Sequence, residues 1–104
     1  MLISTTQDLP GREIVEILGV ARGNSVRARH AGRDIMAALR NLIGGEIQEY
    51  AKLQAETREM ATRRMIEFAE AMGADAVVGV RYTTSMISSG ASEILAYGTA
   101  VKLR

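Results

Sequence analysis

A helical pattern from Glu46 to Met72 runs directly into Gly73-Ala74-Asp75-Ala76-Val77-Val78-Gly79-Val80-Arg81-Tyr82. A second β-rich run, Ala96-Tyr97-Gly98-Thr99-Ala100-Val101-Lys102-Leu103, closes the chain. Glycine after a helical repeat predicts a left-handed C-cap, and the β-branched residues beyond it predict a strand. A helix feeding a strand that needs a partner strand is an α+β arrangement, in which the helix packs on one face of the sheet.

The remaining elements follow from punctuation and periodicity. Leu2 to Thr5 predicts a short strand, and Asp8-Leu9-Pro10-Gly11 a turn. Glu13 to Arg22 predicts a strand, closed by a turn at Gly23-Asn24-Ser25; Val26 to Gly32 is ambiguous. Ile35, Met36, Leu39, Leu42 and Ile43 predict a helix over Gly32 to Ile43, which Gly44-Gly45 stops. The long helix from Glu46 to Met72 carries a stripe of Ile47, Tyr50-Ala51, Ala61, Met65, Phe68-Ala69 and Met72. Asp75 to Thr84 and Glu93 to Leu103 are strands separated by a loop at Ser88-Ser89-Gly90. The expected fold is therefore two layers, an antiparallel sheet with one short and one long helix.

The 104 residues are enough for a single domain, residues 1–104, with one core and little room for a deep cleft. The net charge of +1 provides no global field for nucleic acid or an acidic membrane. The chain has no cysteine, which excludes disulfides, thiolate metal sites and thiol nucleophiles. No apolar run approaches the roughly 20 residues of a membrane span, and the N-terminus lacks a signal-peptide pattern. The cytoplasm is the expected location.

The strands are apolar on both faces. Val15, Ile17 and Ala21 alternate with Ile14, Leu18 and Val20, and Val78 and Val80 with Val77. Leu95, Tyr97, Val101 and Leu103 alternate with Ile94, Ala96 and Ala100. A sheet with one wet face should instead alternate apolar with polar. Two helices joined within so short a chain cover one face. The other face is then an exposed apolar patch, and burial against further copies in a closed ring is the simplest remedy.

An ordered set of short motifs carries a resemblance. It comprises Ile17-Leu18-Gly19-Val20, Arg33-Asp34-Ile35, Gly44-Gly45-Glu46, Tyr50, Arg58, Gly73-Ala74-Asp75-Ala76-Val77-Val78-Gly79-Val80 and Tyr97-Gly98-Thr99-Ala100-Val101. In these the chain resembles the YbjQ-like family, whose members carry a heavy-metal-binding label. The resemblance implies a two-layer α+β subunit in a homopentameric ring, and no established activity.

Candidate sites can be weighed against plainer roles. Glu46 and Glu49 offer hard oxygen ligands for a metal ion, but two carboxylates at a helix start are also favoured by the helix dipole. The six methionines include Met36, Met65 and Met72 on apolar stripes, where packing is the plainer role. Gly44-Gly45 before Glu46 lacks the Lys and Ser/Thr of a P-loop. Glu46, Tyr50 and Arg58 form a candidate ligand or catalytic pocket between subunits; the plainer role of Arg58 is an interface salt bridge, with Glu16, Asp34 or a neighbouring carboxylate. Arg27, Arg29, His30 and Arg33, within the stretch from Arg22 to Arg40, are a candidate anion or nucleic-acid surface, and a solvated rim is the plainer reading. No pattern of catalytic residues stands out. The expectation is a non-enzymatic homo-oligomer holding a small ligand or ion, with no required cofactor and no membrane partner.

Overall fold

The computed structural model describes residues 1–28, 48–88 and 91–104. Strand β1 is Leu2–Ile3, β2 is Ile14–Ala28, helix α1 is Gln48–Ala71, β3 is Ala76–Ser88 and β4 is Ala91–Leu103. The strands form one sheet in the order β1-β3-β4-β2. β4 pairs antiparallel with both β2 and β3, whereas β1 pairs parallel with β3. The sheet is thus mixed, where the sequence suggested antiparallel pairing throughout. The reason is the long excursion through β2 and α1 between β1 and β3, which lets two neighbours run the same way. The expected short helix from Gly32 to Ile43 lies outside the described residues.

The expected turn at Gly23-Asn24-Ser25 does not exist. β2 runs through it for 15 residues, pairing Gly23 with Ala96, Asn24 with Leu95 and Ser25 with Ile94. Gly23 serves a different purpose. A Cβ there would overlap Met65 N and stand 2.5 Å from Ala61 O, so only glycine lets the helix backbone settle on the strand backbone. β3 likewise extends beyond Thr84 to Ser88, and β4 begins at Ala91.

α1 rests on β2 and β4 through Leu53, Thr57, Ala61, Met65 and Ala69, a row at i, i+4. Ala51 and Phe68, expected on this stripe, are exposed, while Leu53 and Thr57 are buried. Buried Thr57 satisfies its hydroxyl by donating to the Leu53 carbonyl at 2.7 Å. Below the helix the core is Ala21, Val77, Val80, Ile94, Ala96 and Ala100. The helix ends as anticipated: Gly73 has φ +81°, Ala74 N donates to Ala69 O and Gly73 N to Glu70 O.

Bulges change which residues share a face. β2 takes an extra residue between Ile14 and Glu16 and another between Ile17 and Gly19. Leu18 therefore packs with Ala21 under the helix, and the simple odd–even division of β2 fails. In β3, Gly79 (φ +63°) and Val80 together oppose Gly98, which puts Val77 and Val80 on the same side instead of opposite ones. In β4 the alternation holds: Ile94, Ala96 and Ala100 lie under the helix, and Val101 belongs to a second cluster with Leu9, Ala76 and Val78.

Candidate functional site

The loop between β1 and β2 crosses the helix-free face at one end of the sheet. Pro10 and Gly11 turn it, with Arg12 N donating to Leu9 O at 3.0 Å, and Leu9 is buried against Val78 and Val101. The loop is stitched to the bulge of β3 by Gly79 N to Thr6 O (2.8 Å) and Val80 N to Ser4 O (3.0 Å). Part of the second face, expected bare, is therefore covered by its own chain.

Beside the loop lies an open cavity of about 550 Å³. Ile14, Ile17, Val78 and Val101 supply aliphatic surface, and Gln7, Asp8 and Arg81 supply polar groups. The Arg81 guanidinium is anchored: Nη1 donates to the Thr5 carbonyl at 2.9 Å and to the Val80 carbonyl at 2.8 Å. Three bulges, two in β2 and the one at Gly79-Val80 in β3, meet at this end of the sheet. Bulges bend strands and re-aim side chains, and they collect beside binding sites.

Further along the same face, cross-strand pairing places Val20 with Thr99, Arg22 with Tyr97 and Val26 with Glu93. Ile17 is 71% exposed and Val20 63%, and Val26 is also exposed. Arg22 is on the edge strand, and its side chain reaches back to the helix layer, with its guanidinium carbon 5.8 Å from the centre of the Phe68 ring of α1.

The candidates from the sequence are not gathered here. Arg58 is exposed on α1 and pairs with Glu59 at 3.7 Å, rather than with Glu16. Glu46 lies outside the described residues; Glu49 and Tyr50 begin α1, but their side chains are outside the described part. Arg27 pairs with Glu56 at 3.6 Å, whereas Arg29, His30 and Arg33 are outside the described residues. Among the described residues no group of three His, Cys, Asp or Glu is placed to hold a metal ion. No helix among them is long and apolar enough to cross a membrane. Sequence reasoning missed Arg81 and the cavity. The available signal was Gly79 within a strand, which suggests a bulge.

Comparison with known proteins covers the full length. A family model described as "Putative heavy-metal-binding" matches residues 1–104. A UPF0145 protein of Methanosarcina acetivorans is 57% identical over 103 residues, covering 99% of this chain and 97% of that one. A UPF0145 protein of Archaeoglobus fulgidus is 56% identical over 104 residues, covering 100% and 96%. A crystal structure from Pediococcus pentosaceus, of a DUF74-family protein of unknown function, superposes with a TM-score of 0.73. It is 17% identical and covers 100% of this chain and 98% of that one, a likeness of fold.

Proposed function

The chain belongs to the YbjQ-like family of uncharacterised proteins, and on that footing we propose that it is a non-enzymatic homo-oligomer. Its copies close into a pentameric ring in the cytoplasm and hold a small ligand or ion where subunits meet. The observation that carries this reading is the exposure of Ile17 and Val20 side by side on the helix-free face. Aliphatic side chains of this kind, grouped on one face of a sheet, favour burial by roughly 25 cal/mol per Å² removed from water.

Five copies is the number the family resemblance implies, and a closed ring leaves no sticky end.

Native mass spectrometry of untagged protein tests the proposal. A single dominant species of five chains is expected, and a folded species of one chain would refute it. The same spectrum reports any retained ligand or metal.

A further inference from the structure

The cavity beside the crossing loop has a composition that narrows its ligand. Its aliphatic side is Ile14, Ile17, Val78 and Val101, and among the described residues no aromatic lines it, which disfavours a stacked base or flavin ring. Among the described residues that line it, the charged ones are one cation, Arg81, and one anion, Asp8, with Gln7 and Thr99 as further polar residues. Among the described residues two carbonyls hold Arg81, both through Nη1. A guanidinium has N–H donors on all three nitrogens, so the others remain for a ligand carboxylate.

One fixed cation and one anion beside an aliphatic surface complement a ligand with the same three parts. We infer that this cavity binds a free α-amino acid with an aliphatic side chain. The carboxylate pairs with Arg81, the ammonium group with Asp8, and the side chain lies against Ile14, Ile17, Val78 and Val101. The volume of about 550 Å³ falls in the range of roughly 300–1,000 Å³ usual for small-molecule sites. The inference rests on the assembly reading for one element only. The cavity is open, and a neighbouring copy over Ile17 would supply the outer wall that excludes water.

Isothermal titration of the full chain at neutral pH, with three probes, tests it. L-Leucine should give saturable binding. L-Leucinamide, which lacks the carboxylate, and 4-methylpentanoate, which lacks the ammonium, should each bind at least about tenfold more weakly, equivalent to about 1.4 kcal/mol. Arg81→Gln should weaken leucine by a similar factor. Because Arg81 also holds the loop, Asp8→Asn serves as a second variant and should weaken leucine without changing the unfolding temperature. Absence of saturable heat with leucine overturns the inference, as does equal affinity for leucinamide, or full affinity in both variants. Particle mass measured on the same samples separates the two readings. An assembled protein that ignores leucine contradicts the amino-acid site alone. A monomer that binds leucine with these preferences contradicts the assembly and leaves the site standing.

Discussion

Gly23 of β2 lies backbone to backbone against Met65 of α1, with no room between them for a methyl group. This contact fixes how closely the helix approaches the sheet. Around it the packed surface is made of small residues, Ala21, Ala61, Ala69, Ala96 and Ala100, all fully buried. Gly23→Ala should therefore force the layers apart, at about 1–3 kcal/mol. Thermal unfolding should show a midpoint lower by roughly 5–15 °C. An unchanged midpoint would show that the layers are not in this contact.

Among the described residues Met65 is the largest fully buried side chain, and it belongs to the core beneath the helix. Truncation to alanine should cost about 2–5 kcal/mol in denaturant titration. Thr57→Val should be nearly neutral, within about 1 kcal/mol, because the hydroxyl it removes only adds a second bond to a helix carbonyl. A large loss for Thr57→Val would mean that the hydroxyl has a partner other than Leu53.

Asp75 joins the helix exit to the end of β4. Its Oδ2 accepts from Leu103 N at 2.9 Å, its own N–H donates to Val101 O at 2.9 Å, and Lys102 reaches both its Oδ1 at 3.9 Å and the Gly73 carbonyl at 3.0 Å. Asp75→Ala should cost about 1–2 kcal/mol through the lost bond to Leu103. Asp75→Asn keeps an accepting oxygen and should retain most of that stability. Hydrogen exchange at the Leu103 amide gives the direct readout: faster in the alanine variant, close to wild type in the asparagine one.

The parts of the fold legible in the sequence are those where a single period runs unbroken. The corner from α1 through Gly73 to β3 and the alternation of β4 were readable because the 3.6 and 2.0 repeats meet at one glycine. β2 was harder because its bulges near Val15 and Leu18 insert residues that carry no compositional mark. Gly23 reads equally as a turn or as a close approach, and only the position of α1 decides between them. Thr57 breaks a hydrophobic count yet is buried, because its back-bond to Leu53 makes it compatible with an apolar stripe. The cavity was illegible because it joins Asp8, Ile17 and Arg81 from distant parts of the chain through a loop crossing that no local pattern encodes.

Replacing Ile17 or Val20 with glutamate places a charge where a neighbouring copy is proposed to sit. Both side chains are mostly exposed in the subunit, so a lone chain should tolerate either change within about 0.5 kcal/mol. The assembly should not. Ile17→Glu and Val20→Glu should release smaller, folded species with native circular dichroism, observed by size-exclusion chromatography with light scattering. Unaltered particle mass in both variants would remove this face from the interface.

Sedimentation velocity of the wild-type chain at micromolar concentration decides whether five copies close into a ring. A closed ring of five 11.3 kDa chains predicts one boundary at about 56 kDa that does not shift on dilution. A folded particle sedimenting at 11.3 kDa would contradict it.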